Sequence, residues 1–591
     1  MCGIFGYLSF DNFSLNKDVL NSMATSIKHR GPDAFGIYNA EGVAIGNQRL
    51  SIIDVEGGNQ PFISEDNQII VVQNGEIFNH LELREILKKN RITCSSNCDT
   101  EVILKMYELY GLDCIQYFNG MFAIAIYDKR KSKLFLIRDR LGIKPLYYFL
   151  RDKTIIFGSE IKSILKSNIA KPKVSEEAIF HYLKYNFVPP PLTIYNNIYH
   201  LNPASYIEFS RGKHLIREWW DLSSINLNNT KKESNWIEEF NYLLSDSVSL
   251  RMRCDVPYGA FLSGGVDSSS IVGLMSKKIN TKVKTYSIGF NEKKYDETKF
   301  AKEAAARFNT NHIANKVDLD LLENWDKVLY FCDQPHGDIS FLPTFKVSEI
   351  ASKEVKVVLT GDGGDELFGG YDKYLNFLNS NQEIKKIKER NKLYLRSTSL
   401  FPNQDLSKIL SNAGKKLFNK FDFAIPAKKI FEKVSHQDNI NQMLYLDVKL
   451  LLPGNNLVKP DRMGMANSLE ARTPFLDYRL VELAFQMPGS LKIKNGISKF
   501  ILKKAVRKLI GDNLAYRKKQ MFTVPVGEWF KDEKYKYCLD KINKLGVYSN
   551  LFNTKTIVKM LEDHSKGIYN YTRELRALVS LSIWFENYHS I

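Results

Sequence analysis

The sequence predicts two domains: a layered α+β domain first, then an α/β domain with a doubly wound parallel sheet and helical additions. Three observations carry this. Over the first two hundred residues, strand patterns crowd together with few helices between them. A polar stretch rich in Ser, Asn and Lys then follows. Beyond it, strand and helix patterns alternate, as a parallel sheet with ligand at its strand C-ends requires.

The elements follow in order. VVQNGEI at 71–77 is an apolar strand that turns polar, and short helices are expected at 81–89 and 100–110. FAIAIYD and KLFLIRD flank the polar turn 129–132, a hairpin pattern; LYYFL and TIIFGSE form a second pair around 151–153. The first domain is expected over 2–210, a linker over 211–235, and the second domain over 236–591. In that second part VPYGAFL, KVKTYSIGF and VKVVLTG read as strands. The segments 268–280, 297–308 and 342–353 read as helices. The Lys-rich stretch 376–439 is helical with weak patterning, and 443–591 is mostly helix. No internal repeat is evident.

Length agrees with several domains, since 591 residues exceed the roughly 100–200 of one. With 44% apolar and 25% charged residues the chain is an ordinary globular protein, which excludes a disordered, collagenous or disulfide-scaffold class. The charge is 83 − 66 = +17. That balance suits nucleic acid, an anionic membrane surface, a polyanionic substrate or compositional drift. With no long basic run and no basic patch interleaved with aromatics, no nucleic-acid partner is expected. Seven dispersed cysteines, an odd number, read as ordinary thiols of a reducing compartment. Cys94 and Cys98 have no second pair at zinc-finger spacing. No apolar run reaches about 18 residues, and MCGIFGYLSFDNF lacks a signal layout, so a cytoplasmic protein with no membrane partner is expected.

Chemistry concentrates in a few places. Removal of Met1 would leave Cys2 with a free α-amine beside its thiol, and an amine of pKa about 7.7–8.0 can act as its base. Alone, a cysteine at position 2 says little. It is followed by His29-Arg30-Gly31-Pro32-Asp33, by Arg49 opening RLSIID, by Asn74-Gly75-Glu76 and by Asp99. Ser263-Gly264-Gly265-Val266-Asp267-Ser268 follows a strand and opens a helix. Its glycines let backbone N–H groups approach an anion at a helix N-terminus, and it is not a Walker loop. Thr360-Gly361-Asp362-Gly363-Gly364-Asp365-Glu366 also follows a strand. Carboxylates among glycines beside a phosphate loop call for metal, without the Ca²⁺-loop spacing.

Together these motifs resemble the glutamine-hydrolysing asparagine synthetases, a family of class II glutamine amidotransferases. The likeness covers about residues 2–220 and 240–530. It implies an N-terminal Ntn-hydrolase domain of αββα layers and a C-terminal ATP-pyrophosphatase-like domain. By the resemblance Cys2 is the nucleophile, and Asn74 and Gly75 form the oxyanion hole. Arg49 grips the glutamine α-carboxylate, with Asn74 and Gly75 beside it, and Glu76 and Asp99 hold the α-ammonium. A zwitterion needs such a cation and such anions, and a tetrahedral intermediate needs aimed donors. Leu262, Ser263, Gly264, Gly265, Asp267, Ser268, Ile288, Thr360 and Gly361 are implied in ATP binding, and Asp267 and Asp365 in binding Mg²⁺. Asp362 stands where many members carry a Glu tied to acyl-adenylate formation. Lys519, with Lys518 as the alternative register, matches a lysine on the transition-state phosphate. Met465–Asp477 matches the C-terminal signature and is read as support for the site.

The implied reaction uses glutamine, Mg-ATP and aspartate as substrates, and a homodimer is compatible with it. Other readings stay open. One is a paralogue amidating a sugar acid or a peptide carboxylate. Another is a glutaminase with a degenerate synthetase half, against which Asp267 and Asp365 argue.

Overall fold

The computed structural model describes residues 2–11, 13–292, 294–317, 319–381, 386–519, 524–531 and 534–588. Met1, whose removal matters for Cys2, lies outside the described residues, as do Gln520, Met521 and Phe522 of the basic run.

The N-terminal part is a stack of two six-stranded antiparallel sheets. One orders its strands Ile198–His200, Tyr147–Arg151, Thr154–Gly158, Cys2–Ser9, Val43–Arg49, Ala34–Ala40. The other orders Lys213–Glu218, Ser205–Ser210, Lys133–Arg138, Gly120–Asp128, Ile69–Ile77, Phe62–Ile63. Alternation of side chains builds the layers. Ile4, Leu8, Val43 and Ile45 join Val72, Ala123, Ala125 and Leu136 in the core between the sheets. Phe5, Tyr7 and Ala44 share a core with Leu20, Met23, Ile161 and Ala178 of the helices on one side. On the other side Val71, Phe122, Ile124 and Ile126 meet Leu83, Leu87, Val102 and Ile103. The expected αββα layering is borne out.

The expected domain end at 210 and linker 211–235 need correction. Lys213–Glu218 pairs antiparallel with Ser205–Ser210, Ser205 opposite Glu218 and Ser210 opposite Lys213. It is exposed along its whole length, so no buried face imposes an apolar alternation on KHLIRE.

The C-terminal part holds a five-stranded, wholly parallel sheet ordered Asn311–Val317, Lys284–Phe290, Tyr258–Phe261, Val357–Leu359, Glu470–Arg472. The three expected strands form its centre. The two edge strands escaped the sequence reading. NHIANKV is polar and largely exposed, and EAR is three residues long inside a helical region. Helices Val266–Ser276, Thr298–Arg307 and Phe341–Ala351 follow the strands as alternation predicts. The 376–439 stretch is a set of short helices from Ile387–Thr398 to Ile425–Lys433. No helix among the described residues is long and apolar enough to cross a membrane.

A buried ionic cluster ties the two parts together. Arg30 donates to Asp461 at 2.9 and 3.0 Å and to Glu160 at 2.9 Å. Arg462 approaches the same Glu160 at 2.7 Å, and Lys144 lies 3.5 Å from Asp461. Burial pushes the Glu160 carboxyl up, but Lys162, His29 and Arg462 hold it well below the ordinary range.

Candidate functional site

The first site lies at the open end of the stacked sheets. Cys2 begins the strand Cys2–Ser9 and pairs in register with Arg49, the last residue of Val43–Arg49. Its backbone N–H donates to Asn74 Oδ1 at 3.2 Å, and Arg30 Nε donates to its carbonyl at 3.2 Å. Burial pushes the Cys2 thiol up, so the thiolate needs a base at hand. Asn74 Nδ2 points to Ser159 Oγ at 3.4 Å. Gly75 has φ +145°, and a Cβ there would stand 2.0 Å from the Met121 carbonyl. Only glycine fits at this point of the strand Ile69–Ile77.

Glu76 and Asp99 gather on the same side. Asp99 accepts from the Ile77 N–H at 2.8 Å. Glu76 Oε2 is buried and has no hydrogen-bond partner among the described residues. Burial, then Asp99 and Glu470, push the Glu76 carboxyl well up. Two carboxylates with an unsatisfied oxygen form a receptor for a cation. Arg49 is less free than expected. Its guanidinium donates to the carbonyls of Ile53, Asp54 and Val55 and to Asn59 Oδ1, at 2.6–3.1 Å. These bonds occupy both terminal nitrogens of the guanidinium, which ties Arg49 to its own loop.

The second site lies at the C-terminal ends of the parallel strands. Ser263–Ser268 connects Tyr258–Phe261 to Val266–Ser276. Ser263 and Ser268 hydroxyls lie 3.2 Å apart, and the Gly265 N–H reaches Ser263 Oγ at 3.3 Å. Leu262 is buried and hydrogen-bonds across to Tyr286; Ile288 is buried in the neighbouring strand. The Thr360–Glu366 loop leaves the adjacent strand. Thr360 N–H donates to the Arg472 carbonyl at 2.8 Å, and its hydroxyl donates to Asp362 at 2.7 Å. A Cβ on Gly364 would lie 2.6 Å from Asp267 Oδ1, so the second loop is glycine-rich because the first passes against it.

Asp267 and Asp365 converge. Lys499 Nζ bridges them, 2.5 Å from one and 2.6 Å from the other. Lys519 also pairs with Asp365. Burial pushes the Asp267 carboxyl up. The same burial acts on Asp365, but Lys499 and Lys519 hold it well below the ordinary range. Asp267 Oδ1 remains buried without a hydrogen-bond partner among the described residues. Among those residues no group of three or more His, Cys, Asp or Glu gathers around one point.

The structure thus brings together Cys2, Asn74, Gly75, Glu76, Asp99 and Arg49 in one place. It gathers Ser263–Ser268, Thr360–Asp365 and Lys519 in another. Sequence reasoning missed Lys499, which has φ +53° and is 3% exposed. Nothing in ISKFIL marks it, because its partners lie more than a hundred residues away. It also missed that Arg472, in the Met465–Asp477 run, lies 3.6 Å from Glu76. Arg472 faces the first site while its carbonyl holds the Thr360 loop of the second.

Residues 239–586 match the family model for asparagine synthase, and residues 1–220 match that for a glutamine amidotransferase domain. The chain is 32% identical to asparagine synthetase [glutamine-hydrolyzing] 1 of Bacillus subtilis, covering 100% of this chain and 97% of the relative. It is 44% identical to a putative asparagine synthetase [glutamine-hydrolyzing] 2 of Methanocaldococcus jannaschii, over 64% and 76% of the two chains. A more distant relative is the amidase chry2 of Gibberella zeae, 26% identical over 96% and 95%. With both family models matched in the order of its two sites, the chain belongs to the glutamine-hydrolysing asparagine synthetase family.

Proposed function

We propose that the chain makes asparagine from glutamine, aspartate and ATP with Mg²⁺, releasing glutamate, AMP and pyrophosphate. The observation that carries this reading is Arg472, which touches the first site through Glu76 and the second through Thr360. Two chemistries built on one shared wall suit an intermediate handed from one to the other.

In the first site the Cys2 thiolate attacks the glutamine amide carbon. The α-amine freed by Met1 removal takes the thiol proton and passes it to the leaving ammonia. Asn74 Nδ2 and the Gly75 N–H receive the oxyanion. Arg49 takes the α-carboxylate, and Glu76 with Asp99 takes the α-ammonium. Water then releases glutamate from Cys2.

In the second site Ser263, Gly264, Gly265 and Ser268 cradle the ATP phosphates at the helix N-terminus. Leu262, Ile288, Thr360 and Gly361 line the nucleotide. Asp267 and Asp365 would hold Mg²⁺, which offsets phosphate charge when bound. Lys499 has to yield that position and is then placed to reach the phosphates. Lys519, rather than Lys518, is the lysine beside Asp365 and is assigned to the leaving pyrophosphate. Asp362 orients the loop through Thr360 and stands beside the adenylating carboxylate. Ammonia displaces AMP from the acyl adenylate.

The test is pyrophosphate release from Mg-ATP with aspartate, glutamate or a uronic acid as acceptor. Strong dependence on L-aspartate is expected, with glutamate a poor substitute, because a misfitted zwitterion leaves buried charges unpaired. Turnover with the sugar acid and none with aspartate would replace the acceptor and keep both sites.

A further inference from the structure

Arg517 holds the phosphate loop from behind. Its Nε donates to the Gly264 carbonyl at 2.9 Å, and its second guanidinium arm donates to Glu297 Oε1 at 2.9 Å. The guanidinium lies over the Phe300 ring, 4.5 Å from its centroid. Arg517 and Glu297 are 9% and 10% exposed, so this is a buried, three-way clamp. Glu297 directly precedes the helix Thr298–Arg307, which places the anchor on an element separate from the loop.

The peptide being held is the one that matters. A trans peptide points its C=O and N–H in opposite directions. With the Gly264 oxygen drawn to Arg517, the Gly265 N–H must face the other way, where Ser263 Oγ lies at 3.3 Å. Gly264 is at φ +70°, and this peptide is flanked by two glycines, so rotation about it meets little steric resistance. A loop of this kind stays anion-facing only if its carbonyl is tied down. Two residues further on, Lys519 pairs with Asp365 and lies over the Tyr371 ring at 4.6 Å. The short strap 517–519 therefore spans both loops.

We propose that Arg517 is a positioning residue: it fixes the Gly264–Gly265 peptide with its N–H toward the phosphates and sets the strap that delivers Lys519 to Asp365. This rests on reading Ser263–Ser268 as the phosphate loop. A lysine cannot replace it, since one ammonium cannot bond a carbonyl and a carboxylate in a planar fork while stacking on a ring.

The experiment compares the full-length wild type with Arg517→Gln, Arg517→Lys and Glu297→Gln. Binding of Mg-pyrophosphate is read by titration calorimetry, beside the ATP KM and the kcat of aspartate-dependent pyrophosphate release. Arg517→Gln and Arg517→Lys are expected to weaken pyrophosphate binding about 10- to 100-fold, the range of a lost charge-assisted hydrogen bond. Each should lower kcat as well as raise the ATP KM, and leave the aspartate KM and glutamine hydrolysis unchanged. Glu297→Gln, which keeps the arginine and the acceptor oxygen but removes the charge of its anchor, should show the same pattern more weakly and serves if Arg517→Gln folds poorly. Wild-type behaviour of Arg517→Lys would overturn the proposal, because charge alone would then suffice. So would Glu297→Gln binding and turning over as the wild type does. If the wild type itself bound no Mg-pyrophosphate, the phosphate-loop reading would fall instead.

Discussion

The reactivity of Cys2 depends on what its neighbours do to charge. Its thiol is pushed up by burial, so on the proposed mechanism it relies on the amine exposed by losing Met1. Cys2→Ala should lower glutamine hydrolysis by about a thousandfold or more while ammonia-dependent asparagine formation persists. Glutamine hydrolysis at the normal rate in that variant would remove Cys2 from the reaction. Glu76 makes a pH prediction. Its carboxyl is raised, so the folded, ligand-free protein binds this proton more tightly than the unfolded chain does. Stability from this group is therefore present at acid pH and lost as pH rises through the raised value. Glutamine binding runs the other way, since only the ionised carboxylate pairs with an α-ammonium. The glutamine KM should rise as pH falls through the raised value of Glu76. Glu76→Gln should have a high KM at every pH and no acid limb of this origin; an unchanged acid limb would assign it to another group.

The glycine-rich loops were legible because each follows an apolar strand and opens a helix. Their contact with each other was not. Asp267 and Gly364 are nearly a hundred residues apart in sequence, and a Cβ at Gly364 would sit 2.6 Å from the Asp267 carboxylate. Gly364→Ala should therefore mimic Asp267→Asn in part, slowing pyrophosphate release and raising the Mg²⁺ needed for half-maximal rate. Asp267→Asn and Asp365→Asn should each abolish pyrophosphate release and spare glutaminase activity, since metal neutralisation contributes several kcal/mol to the transition state. A variant forming AMP at the normal rate would exclude that carboxylate as a metal ligand. The strand Glu470–Arg472 shows why a short element is missed. Its two charged residues flank Ala471 and all three are buried, because Glu470 and Arg472 pair with each other at 2.5 Å.

Across the molecule, the two halves are joined by buried charge as well as by a shared apolar core. Asp461 receives Arg30 in a bidentate pair and lies within reach of Lys144, while the same Arg30 holds the Cys2 carbonyl. Removing one partner of such a pair leaves the other charged and dry, at a cost of about 3–5 kcal/mol. Asp461→Ala should lower the thermal midpoint of the whole chain. It should also impair glutamine hydrolysis, although Asp461 lies in the synthetase half. A variant with normal melting and normal glutaminase would show that the ion pair does not connect the halves.

Residue order alone carries the two architectures and the local runs from which both candidate sites are built. The reason is that Cys2, Asn74-Gly75-Glu76, Ser263–Ser268 and Thr360–Glu366 are each local runs whose chemistry depends on neighbours in the chain. Alternation and strand–turn–helix order also leave their trace in residue order. Tertiary structure alone decided the rest. Lys499 meets Asp267 across 232 residues, Arg517 meets Gly264 across 253, and Arg30 meets Asp461 across 431. It also decided that Arg49 is already engaged by its own loop, and that Lys519 rather than Lys518 reaches Asp365. Such pairings are set by how the sheets and helices pack. An isolated Lys or Arg in the sequence has no periodicity or spacing to reveal which carboxylate or carbonyl the fold will bring to it.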